Sequence, residues 1–216
     1  MRECVISAIE REKIIAIIRG VAASDLIPTV EALYQGGIRL VEVTYDASGG
    51  VSDRETAKNI EMLVEHFDEK MIVGAGTVLT EWQVKLTNSV GGRFVISPDS
   101  YQAVIEQTRS LELVSIPGAL TPTEIQEAYR WGADFVKLFP VKHLGVDYVK
   151  AIRAPLSHIR LLAVGGVSVE NMSRFLQAGV CGFGIGSDII DRAAIRQGNF
   201  ARIKELARGY VGGIAK

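Results

Sequence analysis

Phe135-Val136-Lys137-Leu138-Phe139-Pro140 is an apolar run of strand length with one lysine in its middle, bounded by Gly132 and by a proline that stops the ladder. An ammonium in an apolar wall is costly unless paired or neutralised. Burial lowers a lysine's pKa and frees the amine to attack a carbonyl. The same lysine on an exposed edge would snorkel past its neighbours and stay charged. Six residues alone leave both readings open, so the argument passes to their surroundings.

Working outward, the same unit recurs: an apolar run, a Gly/Ser/Thr/Pro turn, a helical pattern, and a glycine before the next run. The runs are Ile14 to Arg19, Leu40 to Tyr45, Met71 to Gly76, Phe94 to Pro98, Leu113 to Pro117, Phe135 to Pro140, Arg160 to Gly166 and Gly182 to Ser187. Strands that are hydrophobic nearly throughout and alternate with helices imply parallel pairing with both faces buried. Ser52 with Glu55, Thr80 with Gln83, and Thr121 with Glu124 fit capping boxes, the last with Pro122 at the first helical position. Gly36-Gly37, Gly91-Gly92, Gly132 and Gly179 fall where helices should stop. Eight such units predict an α/β fold: a (β/α)8 TIM barrel as a single domain over 1–216, with Arg2 to Arg11 as an extra N-terminal helix across its bottom. A doubly wound open sheet would carry a glycine-rich turn after its first strand, and Arg19-Gly20-Val21-Ala22 is not one.

The chain has 216 residues, a formal net charge of -1 and no basic run, which makes nucleic acid and anionic membrane poor partners and a small molecule the expected one. Met1-Arg2-Glu3-Cys4 leads into an amphipathic stretch with Glu10, Arg11 and Glu12, and no later run reaches spanning length, so a soluble cytoplasmic protein is expected. Cys4 and Cys181 lack metal-type spacing and read as packing thiols.

In a barrel, polar residues at the C-terminal strand ends converge on one mouth. Run one ends in Arg19. In run two, period two places Leu40, Glu42 and Thr44 on one face and Val41, Val43 and Tyr45 on the other. A carboxylate inside a strand needs a partner, and the register that turns Lys137 inwards lets it face Glu42 across the barrel. A buried ion pair of Glu42 with Arg19 or Lys137 that only satisfies the core is the alternative. Thr77 and Pro98 follow runs three and four. Phe139 shares the face of Lys137.

The last two runs end in Gly165-Gly166 and Gly186-Ser187. Small residues there are expected to open helices whose bare N–H groups receive a phosphate. Tight turning and close packing would call for the same glycines. Two such turns in adjacent final units favour phosphate binding.

Taken together, Ile15-Ala16-Ile17-Ile18-Arg19-Gly20, Val41-Glu42-Val43-Thr44, Val73-Gly74-Ala75-Gly76-Thr77-Val78, Ile96-Ser97-Pro98, Ile116-Pro117-Gly118, Val136-Lys137-Leu138-Phe139-Pro140 and Gly165-Gly166-Val167 resemble the class I 2-keto-3-deoxy-6-phosphogluconate / 4-hydroxy-2-oxoglutarate aldolases, over nearly the whole chain. The resemblance implies that Lys137 forms a Schiff base with pyruvate and that Glu42 is the general acid/base. It implies that an arginine, here Arg19 assisted by Thr77, holds the carboxylate. Thr44, Pro98, Phe139 and Val164 would line the substrate pocket, and Gly165, Gly166, Gly186 and Ser187 would bind phosphate. It implies neither metal nor cofactor, and a homotrimer.

Two positions depart from the pattern. Many relatives have an arginine just after the Glu-Val-Thr strand, where this chain has Tyr45-Asp46-Ala47. Phosphogluconate-type members commonly have threonine where Val164 stands, and Ala-Val-Gly-Gly-Val is similar to the phosphogalactonate branch. The rival readings are an epimerase-like phosphate-binding barrel, which would want a metal or paired carboxylates and has only His143 after a strand, and a catalytically inactive metabolite-binding barrel.

Overall fold

The apolar runs become strands in a computed structural model that describes residues 1–214; Ala215 and Lys216 of the expected 1–216 domain lie outside the described residues. The strands are β1 (Ile14–Ile18), β2 (Leu40–Thr44), β3 (Ile72–Gly76), β4 (Phe94–Ile96), β5 (Val114–Ile116), β6 (Gly118–Ala119), β7 (Val136–Leu138), β8 (Leu161–Val164) and β9 (Gly182–Ile185). They form one sheet in the order β5-β4-β3-β2-β1-β9-β8-β7-β6, and every pairing is parallel. Nine strands arise from eight runs because the chain pairs again just past the end of the fifth run at Pro117, which has no N–H to donate. β5, within that run, pairs with β4, and β6, just beyond it, pairs with β7. Phe135 N–H donates to Ser115 O at 3.3 Å and Lys137 N–H to Pro117 O at 2.8 Å, which carries the ladder across the break into a nearly closed TIM-type barrel.

Between strands run α2 (Ala23–Gln35), α3 (Asp53–Phe67), α4 (Glu81–Ser89), α5 (Gln102–Ser110), α6 (Pro122–Arg130), α7 (Gly145–Arg153) and α8 (Met172–Gln177); α9 (Arg192–Arg196) and α10 (Phe200–Ile214) follow β9. The boxes at Ser52 and Thr121 form in both directions. At Thr80 only half forms: its hydroxyl accepts from Gln83 N–H, while Gln83 Oε1 takes Leu79 N–H at 2.7 Å and Nε2 reaches Asp53 at 2.9 Å. Among the described residues no helix is long and apolar enough to cross a membrane.

Two apolar layers hold the barrel. Outward residues such as Val41, Val43, Val136 and Leu138 pack under the helices, and Tyr45 among them donates to Gln83 O at 3.1 Å. Inward residues Ile15, Leu40, Phe94, Phe135 and Leu162 fill the lower interior, where α1 (Arg2–Glu12) closes the bottom with Val5, Ile6 and Ile9. Arg2 of α1 also pairs with the buried Asp134 just before β7. Above this plug, towards the C-terminal strand ends, the inward residues include the polar Glu42 and Lys137 beside Ile17 and Val164.

Candidate active site

Strand alternation builds the site. Glu42 on β2 pairs in register with Ile17 and Gly74, and Lys137 on β7 with Gly118 and Leu162. Both point inwards above the apolar plug. Glu42 is 2 % exposed and Lys137 8 %, so the edge-strand reading of Lys137 does not hold. They share the wall of one cleft of ≈ 450 Å³ with Arg19, Thr77, Pro98, Phe139, Val164, Gly165, Gly166, Gly186 and Ser187.

Burial decides the electrostatics here. It pushes the Glu42 carboxyl up to about 7, against the opposing pull of Lys137 and of Arg19. It pulls Lys137 below the ordinary lysine value; Glu42 opposes that, Arg19 adds to it and Asp99 opposes it. Among the described residues Glu42 forms no ion pair with Lys137 or Arg19, and Glu42 Oε2 is buried without a hydrogen-bond partner. A core-satisfying ion pair is therefore absent. An unpartnered buried carboxyl that titrates near neutrality can take up or release a proton inside the cleft.

Arg19 Nη2 donates to Thr77 Oγ1 at 2.8 Å. Thr77 follows β3 with φ 55, a left-handed conformation uncommon for a β-branched residue, and this aims its hydroxyl at the arginine. The Lys137 ammonium lies 4.7 Å from the centroid of the Phe139 ring. The same ring lies against Gly165, where a Cβ would come within 3.2 Å of it. Phe139 thus spans from the lysine to the first glycine turn, although at 38 % exposure it only partly covers the amine. Phe135, on the same face, lies below in the apolar plug.

Thr44 is not brought to this cleft. Alternation fixes its face but not its height: two residues beyond Glu42 it lines an adjoining ≈ 220 Å³ pocket with Tyr45, Asp46 and Val51, which shares Arg19 with the cleft. Asp46 folds back on its own loop, with Oδ1 accepting from Ser48 N–H at 2.9 Å and Oδ2 from Val51 N–H at 3.0 Å. It organises the β2–α3 connection where many relatives carry an arginine. The glycine turns also differ from the expected helix openings. Gly165 (φ +83) and Gly166 (φ +91) lead through a turn before α8 starts at Met172, and Gly186 O accepts from Ile189 and Ile190 N–H before α9 starts at Arg192. Ile17, Gly184 and Asp188 line the cleft without having been singled out from the sequence. Ile17 was accessible by period two from Arg19; Asp188 follows Ser187 directly and carries no local signal of its own.

A family model described as KDPG and KHG aldolase matches residues 5–206. The chain belongs to the KDPG and KHG aldolase family. Within the family it is 33% identical to the 2-dehydro-3-deoxy-6-phosphogalactonate aldolase of Escherichia coli over 82% of this chain and 83% of that one. It is 32% identical to the KHG/KDPG aldolase of the same organism, over 87% and 85%. Among solved structures, the KDPG aldolase of Legionella pneumophila, with pyruvate captured at low pH as a covalent carbinolamine intermediate, superposes with a TM-score of 0.84 at 29% identity, covering 97% of this chain and 98% of that one.

Proposed function

We propose that this KDPG/KHG-family protein is a lyase, a Schiff-base aldolase that cleaves a 2-keto-3-deoxy-6-phospho sugar acid to pyruvate and glyceraldehyde 3-phosphate. The observation that carries the reading is a lysine depressed by burial across one cleft from a carboxyl raised to about 7. The Legionella relative's covalent pyruvate supports it. Neutral Lys137 Nζ adds to the C2 carbonyl, giving a carbinolamine that loses water to a protonated imine. Glu42 donates and accepts the protons of these steps. It then takes the C4 hydroxyl proton, directly or through water, as the C3–C4 bond breaks and its electron pair moves into the iminium to give an enamine. The aldehyde leaves, C3 is protonated, and water releases pyruvate and the free amine.

Arg19, fixed by Thr77, orients the substrate carboxylate. Pro98, Val164 and Phe139 form the walls, and Gly165, Gly166, Gly186 and Ser187 receive the phosphate, whose binding energy positions the reacting carbons. A methyl-bearing Val164 and the likeness to the Escherichia coli phosphogalactonate enzyme favour the galactonate-type epimer. Cleavage of 4-hydroxy-2-oxoglutarate to pyruvate and glyoxylate is a second activity of the same site. One barrel domain carries the site, and the family resemblance supports a homotrimer. Turnover of the gluconate- and galactonate-type phosphates, each with and without phosphate, tests the assignment: the galactonate phosphate should be fastest, and equal rates without phosphate would contradict the anion site.

A further inference from the structure

The cleft does not end at Gly186-Ser187. A second cavity of ≈ 580 Å³ shares Ile17, Arg19, Gly186, Ser187 and Asp188 with the lysine cleft and continues to Arg192 and Arg202. Its charges are unevenly engaged. Arg202 pairs with Glu205 at 3.6 Å, and Asp191 caps α9 by accepting from Ala193 and Ala194 N–H. Asp188 leaves a negative charge directly beside the second glycine turn, which would repel an anion held by backbone N–H groups alone.

Arg192 answers that charge. It is exposed and has no ion pair among the described residues, yet its guanidinium is laid back over the end of β1. A Cβ on Gly20 would come within 3.2 Å of Nη2 and 3.3 Å of Cζ. Gly20 stands at φ +63 and presents no side chain, so the guanidinium lies against the backbone there while it lines the second cavity.

We propose that Arg192 is a specificity-determining residue: it supplies the side-chain cation for the substrate's terminal phosphate dianion, which bridges the Gly186-Ser187 turn and the Arg192 guanidinium. The inference rests on the phosphorylated substrate proposed above. It predicts a preference for a dianion over an uncharged terminus larger than backbone N–H groups beside Asp188 would give.

The test compares wild type, Arg192→Ala, Arg192→Lys and, as a loss of charge at an exposed α10 residue that lines neither cavity, Arg208→Ala. Each is assayed on the phosphorylated 2-keto-3-deoxy acid and its phosphate-free counterpart, and by borohydride trapping with pyruvate, which has no terminal phosphate. Arg192→Ala should raise KM for the phosphorylated substrate about 10- to 100-fold, as expected for one charge-assisted contact. Rates on the phosphate-free acid and the extent of trapping should match wild type, Arg192→Lys should recover part of the loss, and Arg208→Ala should show none. Equal losses on both substrates, or an unchanged KM for the phosphorylated one, would overturn the role of Arg192 while leaving the aldolase reading in place. A wild type indifferent to phosphate would overturn both the phosphate assignment and this inference.

Discussion

Glu42 lies directly against Gly76: a Cβ at residue 76 would sit 2.3 Å from Glu42 Oε1. The neighbouring strand therefore has to be bare where the carboxyl rests. Gly76→Ala should displace the carboxyl and lower kcat by about 10- to 100-fold, in the range expected for a misplaced general acid/base. Overpacking should also cost about 1–3 kcal/mol. Steady-state cleavage kinetics and urea unfolding measure the two effects, and a variant with native kcat would mean that the position of Glu42 is not critical.

Glu42 links activity to stability through pH. Its folded pKa of about 7 stands above the ordinary 4.5, so the folded protein holds the proton more tightly than the unfolded chain. This contribution is fully favourable below about 4.5 and is lost as pH rises through about 7, at a cost of about 3 kcal/mol. Glu42→Gln should thus be more stable than wild type at pH 8.5, with the advantage vanishing towards pH 4.5, when urea midpoints are compared across that range. The same substitution should cut cleavage by about 10²- to 10⁴-fold. In the wild type, kcat/KM should fall as pH is lowered through about 7, because the Glu42 carboxylate that accepts the proton is lost; a flat profile from pH 5.5 to 8 would contradict the assignment.

The Arg19–Thr77 contact holds a planar donor at the mouth. Arg19→Lys keeps the charge but loses the fork that matches a carboxylate, so KM for the keto acid should rise about 10-fold or more with a smaller effect on kcat. Thr77→Ala should show the same pattern more weakly, by about 3- to 10-fold, since it removes one hydrogen bond to the arginine. Titration of imine formation against pyruvate concentration separates these effects from the phosphate end.

Asp134 tests the floor of the barrel apart from the chemistry. It accepts from Ser115 N–H at 2.9 Å, from Arg109 at 3.3 Å and from Arg2 of α1. Asp134→Ala leaves two partly buried guanidinium groups and a buried N–H without their acceptor, and should destabilise by about 2–4 kcal/mol in urea unfolding. The folded fraction should keep native kinetics, because Asp134 lies at the opposite end of β7 from the mouth.

Local patterning made most of this legible. Parallel strands buried on both faces write themselves as apolar runs, which marked all eight; period two put Glu42 on one face with Leu40 and Thr44, and Lys137 on one face with Phe135 and Phe139, but that these faces turn inwards depends on the closed barrel. The break at Pro117 was visible as a proline, but that its two sides pair with different strands depends on the closed barrel. Thr44 shows the limit of periodicity, which gives a face and not a height. Glycines after β8 and β9 marked the turns correctly, while the distance to the following helix was set by carbonyls that take N–H groups in between, Ser168 O from Asn171 and Met172 after β8 and Gly186 O from Ile189 and Ile190 after β9. The place of Arg192 was invisible because its guanidinium comes to the cavity beside the cleft by lying over Gly20, across 172 residues of sequence.

The central claim is that Lys137 forms the imine, and reduction of the protein–pyruvate mixture with borohydride, followed by peptide mass mapping, tests it most directly. The account predicts one pyruvyl adduct, confined to the peptide that carries Lys137 and absent in Lys137→Met. A folded protein with no adduct, or an adduct on another lysine with cleavage surviving in Lys137→Met, would contradict it.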